Sequence, residues 1–207
     1  MADVTPVRDP RTDFLLTPQS AVLALIDYQP EQYAGVGSTG QKELMEHVTM
    51  LGRVATAFEV PVVLSTVYVK HGMSGTNQEL REALPGVPEI DRTTLNSWED
   101  EEFRAAVEAT GRKKLILAGL WTEVCVAFPA LDAIRAGYEV FVVTDAIGGV
   151  SRTAHDSAMQ RMTQAGVVPI TVLGLACELQ RDWGRPGADR LRGIMREYFA
   201  RMRALKP

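Results

Sequence analysis

Two residues of this sequence have types and places that could do covalent chemistry, Asp27 and Cys125. Asp27 closes the apolar run Ala-Val-Leu-Ala-Leu-Ile at 21–26. A carboxylate at the end of a buried strand is costly without a partner or a task. Such carboxylates also serve as turn caps, so Asp27 alone leaves both roles open. Cys125 follows a second apolar run, 114–118, through Gly119, Leu120-Trp121 and Thr122-Glu-Val. With Thr122 as N-cap, Cys125 stands in the first helical turn. Free backbone N–H groups and the helix dipole there favour a thiolate and could hold an oxyanion. A lone cysteine in an apolar stretch is more often core. The pairing of a strand-end acid with a helix-start thiol shifts the reading toward a nucleophile. Cys177, in Leu-Ala-Cys-Glu-Leu, has no such setting and reads as packing. Pro129 has no N–H for the carbonyl of Cys125, so the helix should bend or begin irregularly there.

Other constellations are weaker. The histidines would suffice in number for a Cys–His pair, but none closes a predicted strand. His47 lies mid-helix, His71 in a long loop, and His155 at a helix start where it can anchor a loop. No HxH, HExxH or DxH occurs, so no metal and no cofactor are expected. The segment from Gly35 to Gly40 matches GxGxxG. A dinucleotide turn should follow the first strand directly and be matched by an acid ending the second strand. Here residues 28–34 intervene and that acid is missing, so a nucleotide site loses to a flexible, glycine-rich connection.

The elements that must position these residues alternate. Apolar runs at 21–26, 61–67, 115–118, 140–143 and, more weakly, 167–172 lack a polar alternation, as buried parallel strands do. Helical spacing marks 42–58, 99–109, 123–136 and 153–165, the last two closing at Gly137 and Gly166. This alternation implies right-handed crossovers and a parallel sheet covered on both faces. The interval 70–97 breaks the rhythm. It has only 88–91 as a possible strand and reads as a lid or binding loop. The tail 188–205 carries an apolar stripe. Its opposite face is basic, from Arg190 through Lys206, and it is expected to pack on its own domain or on a second subunit rather than on a membrane.

Length and composition set outer bounds. The 207 residues fit one domain, with a core at about 14–183 and a C-terminal helix over 184–207. A net charge of -4 argues against whole-surface attraction to nucleic acid or anionic lipid. Two cysteines and no apolar leader suggest a cytoplasmic protein.

Taken together, several segments resemble the isochorismatase-like cysteine hydrolase superfamily, most closely its YcaC-like subgroup. The most specific is Leu117-Ala-Gly-Leu-Trp-Thr-Glu-Val-Cys-Val-Ala-Phe-Pro-Ala-Leu131. Supporting pieces are Leu25-Ile-Asp-Tyr-Gln29, Arg92-Thr-Thr-Leu-Asn-Ser-Trp98, Val142-Val-Thr-Asp-Ala146 and Ala176-Cys-Glu-Leu-Gln-Arg-Asp-Trp183. The resemblance implies a three-layer α/β/α sandwich with a six-stranded parallel sheet in the order 3-2-1-4-5-6. It implies a triad of Asp27 as general base, Cys125 as nucleophile and Arg92 as the basic third member. It also implies a non-proline cis peptide at Leu120–Trp121, which would set the Trp121 N–H beside that of Cys125 as an oxyanion hole.

Most of the superfamily has Lys where this chain has Arg92. An Arg keeps its proton, so Arg92 should hold and polarise rather than donate. Gln29, Asn96, Trp98, Trp121, Thr122 and Phe128 are expected to line the substrate pocket. The implied function is hydrolysis of a small amide or related C–N bond through a thioester, by a homo-oligomer such as an octamer. A ligand-binding oligomer without turnover and a vinyl-ether hydrolase are the competing readings. The vinyl-ether branch lacks the cysteine.

Overall fold

A computed structural model describes residues 6–205 of the chain; Lys206, part of the expected basic face, lies outside them. Six strands form one parallel sheet: β1 Ala21–Ile26, β2 Val62–Val67, β3 Glu89–Arg92, β4 Lys114–Gly119, β5 Glu139–Val143 and β6 Val168–Ile170. Their order is β3-β2-β1-β4-β5-β6, as the resemblance implied. All residues of β1 and of β4 are buried. That burial is why these central strands show no polar alternation. Each fully buried Val, Leu or Ile contributes about 1.5–3 kcal/mol, so Val22, Leu23, Leu25 and Ile26 anchor the strand that ends at Asp27.

The described residues also form eight α-helices: α1 Pro30–Ala34, α2 Gln41–Ala57, α3 Gln78–Ala83, α4 Glu101–Ala109, α5 Ala127–Arg135, α6 Arg152–Gln164, α7 Val172–Gln180 and α8 Ala188–Ala204. α2 packs with α3, α7 and α8, and α5 packs with α6. The tail helix α8 folds back on its own chain. Leu191 is fully buried, and Ile194, Met195 and Tyr198 pack against the core. Arg190 donates to the carbonyl of Ala57 at 2.7 Å. Among the described residues, no helix is long and apolar enough to cross a membrane.

Three expectations need correction. The sixth strand ends at Ile170 instead of 172, because the Thr171 side chain accepts from the Gly174 N–H and caps α7. On α7, Val172, Leu175, Ala176 and Leu179 face inward, so Cys177 between them is exposed, not packed. The stretch from Gly35 to Gly40 is not a loose connection. The Gly37 N–H donates to the Gly149 carbonyl at 3.0 Å. A Cβ on Gly35 would come within 2.6 Å of the Trp121 ring.

The 70–97 interval also holds more order than a lid. Asn77 caps α3 by accepting from Glu79 N–H, and β3 extends one residue further than expected, to Arg92. Gln29 staples the interval down. Its amide nitrogen donates to the carbonyls of Val67 at 2.9 Å and Ser74 at 2.7 Å, while its oxygen accepts from the Val67 N–H.

Candidate active site

The sheet register brings three side chains to one rim. Ile26 pairs with Ser65 of β2 and with Gly119 of β4. Asp27 follows Ile26, and the turn bearing Cys125 follows Gly119. Arg92 ends β3 opposite Val67, the last residue of β2. All three therefore lie at or just beyond the carboxyl ends of parallel strands, where open α/β sheets place their ligands. A Cβ on Gly119 would meet the Ile26 carbonyl oxygen at 2.7 Å. Only glycine lets β4 approach β1 so closely at this point.

Asp27 leaves β1 in the left-handed region, with φ 59, and its N–H donates to the Ser65 carbonyl at 2.9 Å. Aspartate is among the few side chains that tolerate this conformation. Its carboxylate is fully buried. Arg92 Nη2 donates to Asp27 Oδ2 at 2.7 Å, with neither side chain exposed. Arg92 Nη1 donates to the Thr94 carbonyl, which fixes the guanidinium plane. Asp27 Oδ1 is buried without a well-formed hydrogen bond among the described residues. Burial raises the proton affinity of Asp27 above the ordinary carboxylate range; the Arg92 charge and the Cys125 thiol oppose that rise.

Cys125 departs from the sequence expectation. It lies not in an α-helical first turn but in a π-helical turn, Thr122–Val126, that precedes α5. Trp121 occupies the cap position, and no side chain caps the turn. Thr122 is therefore not an N-cap; its hydroxyl lies 2.9 Å from His155 Nδ1. The Val126 N–H reaches back five residues to the Trp121 carbonyl at 3.3 Å. The irregular start expected from Pro129 is thus present.

The thiol is also not a resting thiolate. Burial, then the charge and hydrogen bonding of Asp27, push Cys125 up to about 12, against the opposing pull of Arg92 and the Trp121 backbone N–H. A helix start does not yield a thiolate here because Cys125 is only 7% exposed and its thiol meets the charge of Asp27. Leu120–Trp121 is a cis peptide bond, as the resemblance implied.

The expected pocket residues separate. Gln29 and Thr122 are fully buried and hold backbone or His155. Trp98 packs edge-on against Tyr138, with centroids 5.3 Å apart, as a core residue does. Trp121 is half-buried over Gly35 and donates from Nε1 to the Gln32 carbonyl at 2.9 Å. Asn96 and Phe128 line a cleft of about 690 Å³ between α5 and α6, together with Asp132, Arg135 and Arg161. Neither Asp27, Arg92 nor Cys125 lines that cleft. The Asn96 amide donates to Asp132 Oδ2 at 2.7 Å. Sequence reading gave His155 only a loop-anchoring place; its pairing with Thr122 had no motif to announce it. Among the described residues, no group of His, Cys, Asp and Glu could hold a metal ion.

Comparison with known proteins agrees with this architecture. Residues 20–173 match the isochorismatase domain. The "Probable hydrolase YcaC" of Escherichia coli (strain K12) is 41% identical over 169 residues, covering 81% of each chain. The YcaC structure from Pseudomonas aeruginosa, "with hexane-2,5-diol and covalent acrylamide", superposes with a TM-score of 0.84 at 35% identity. The match covers 93% of this chain and 98% of that one. The E. coli YcaC structure, described as "an octameric hydrolase of unknown specificity", also gives 0.84, at 38% identity over 93% of this chain and 96% of that one.

Proposed function

This chain belongs to the isochorismatase family, and from that premise we propose that it is a cysteine hydrolase cleaving a small amide or related C–N bond. The observation that carries the reading is the buried Asp27–Arg92 pair at 2.7 Å with the Cys125 thiol against the same carboxylate. The covalent acrylamide in the P. aeruginosa relative supports the nucleophile of this reading, since acrylamide is captured by conjugate addition to its vinyl carbon; it leaves the C–N bond intact and does not bear on amide cleavage.

In the first step the Cys125 sulfur attacks the substrate carbonyl carbon while its proton passes to Asp27. Oδ1 is the free acceptor, because Oδ2 is engaged by Arg92. The carbonyl π pair moves to oxygen. In this reading the Trp121 and Cys125 N–H groups meet the developing oxyanion. Collapse breaks the C–N bond, and the amine leaves with the proton from Asp27. Water then attacks the thioester, giving a proton to Asp27. The C–S bond breaks, the acid departs, and the proton returns to sulfur. Arg92 stays protonated throughout and holds Asp27 in place. No step calls for a metal or a cofactor.

The raised Cys125 thiol suits this scheme. A neutral thiol beside a carboxylate of raised basicity is activated only when an electrophile arrives. The substrate is a small molecule; nucleic acid and membrane have no place in the reading. The octameric state described for E. coli YcaC supports a homo-oligomer here as well, which light scattering on the eluted protein tests.

A panel of small amides, followed by intact-mass analysis, tests the reaction. The expected result is turnover by the native chain and a single covalent adduct on Cys125. Cys125→Ala should lose both. Turnover that survives Cys125→Ala overturns the proposal. Stoichiometric ligand binding with no adduct on any member of the panel would favour the non-catalytic alternative.

A further inference from the structure

The turn that carries Cys125 lacks two ordinary restraints. No side chain caps its start. Pro129, four residues after Cys125, cannot donate to the Cys125 carbonyl. Beyond its own backbone bonds to the Trp121 carbonyl and its packing on α5 and β4, the turn is met by the loop 148–151 and the first turn of α6. The Thr122 N–H donates to the Gly148 carbonyl at 3.0 Å, and the Thr122 hydroxyl lies 2.9 Å from His155 Nδ1. Glu123 Oε1 accepts from the Val150 N–H at 3.1 Å. The fit is close: a Cβ on Gly149 would come within 2.6 Å of Glu123 Oε2 and 3.1 Å of His155 Cβ. His155 itself is held by the first turn of α6, its N–H donating to the Ser151 carbonyl at 3.0 Å.

We propose that His155 is a positioning residue: through Thr122 it fixes the π-helical turn in the arrangement that holds Cys125 against Asp27. The inference rests on the reading of Cys125 as the nucleophile. Thr122 is fully buried, so its hydroxyl has no water to turn to, and losing the imidazole leaves it unsatisfied. The turn then gains freedom three residues before the sulfur. Burial lowers the proton affinity of His155, outweighing Asp156 and Glu123. A neutral imidazole presents one donor and one acceptor nitrogen, and either suits a hydroxyl.

The test compares His155→Leu, His155→Asn, Thr122→Val, Thr122→Ser and the Leu/Val double variant. Acrylamide alkylation of Cys125 is resolved into a maximal rate and a half-saturating concentration. Amide hydrogen exchange across 119–126 and the melting temperature are followed in parallel. His155→Leu and Thr122→Val should each slow the maximal rate about tenfold to a hundredfold, the scale on which small misplacements act. The half-saturating concentration should stay unchanged. The double variant should be no slower than either single, and Asn or Ser, which keep a polar atom in reach, should recover most of the rate. Multiplying losses in the double variant, or a lower melting temperature with unchanged alkylation, overturns the proposal. If native Cys125 takes no label at all, the hydrolase reading fails. Exchange across 119–126 then decides the inference alone: faster and non-additive exchange that Asn and Ser reverse upholds it, and unchanged exchange overturns it.

Discussion

Arg92 Nη2 meets Asp27 Oδ2 at 2.7 Å across 65 positions of sequence, with neither side chain exposed to solvent. Two full charges are rarely buried together unless each satisfies the other. The pair leaves Asp27 Oδ1 without a hydrogen-bond partner among the described residues, and the consequences are measurable.

Removing one partner of this pair strands the other. Arg92→Leu should destabilise the fold by about 3–5 kcal/mol, read as a fall in the urea midpoint. Arg92→Lys keeps the charge but cannot hold Asp27 and the Thr94 carbonyl in one rigid fork. It should keep most of the stability and still lose activity. Full activity in Arg92→Lys would contradict the planar-fork argument, and equal stability losses in the two variants would contradict the argument from charge.

Asp27→Asn separates charge from shape. Asparagine accepts the left-handed conformation that Asp27 adopts. The variant should lose about 10²–10⁴-fold in turnover, the usual worth of a general base. At the same time the Cys125 thiol should titrate below its native value of about 12, because the neighbouring negative charge is gone. Thiolate absorbance near 240 nm, differenced against Cys125→Ala, reads the shift. An unchanged or higher value means the carboxylate does not face the sulfur.

The pH profile of kcat/KM should carry the sign of both shifts. In the proposed mechanism Asp27 must be ionised to accept the proton, and burial raises it. Activity should therefore fall on acidification with a midpoint above the ordinary 3.8. Cys125 is raised to about 12, so it adds no alkaline limb near neutrality. The two groups titrate as a pair, and the limbs belong to both. An acid midpoint at or below 3.8 would contradict the raised carboxylate.

Gly119→Ala tests the closeness of β1 and β4. Its new Cβ must push on the Ile26 carbonyl from 2.7 Å, and backbone cannot yield cheaply. A loss of about 1–3 kcal/mol is expected, with slower alkylation of Cys125 because Asp27 and the turn are displaced together. A stability loss that leaves alkylation untouched would show that the rim tolerates the shift.

The sequence by itself determined the central strands of the sheet and singled out the two residues proposed to react. Unbroken runs such as Ala-Val-Leu-Ala-Leu-Ile state burial on both faces, and the residue closing each run stands on the rim. The motif around Cys125, read by resemblance, supplied the strand order that joins Asp27 to it. The helix α7 was not read from the sequence: the apolar run before it hid both the boundary at Thr171 and the inward spacing of Val172, Leu175, Ala176 and Leu179.

What only the tertiary structure decided depends on groups distant in sequence. The protonation of Cys125 is one case: a helix start alone favours a thiolate, but burial and the charge of Asp27 override it. The π-helical turn is another, since Thr122 turns from its own backbone to His155, 33 positions away. Arg92, the last residue of β3, reaches Asp27 across β2 with its guanidinium, a contact that no local spacing encodes. Local patterns fix which backbone is buried; the electrostatics of a site are fixed by the neighbours that folding delivers.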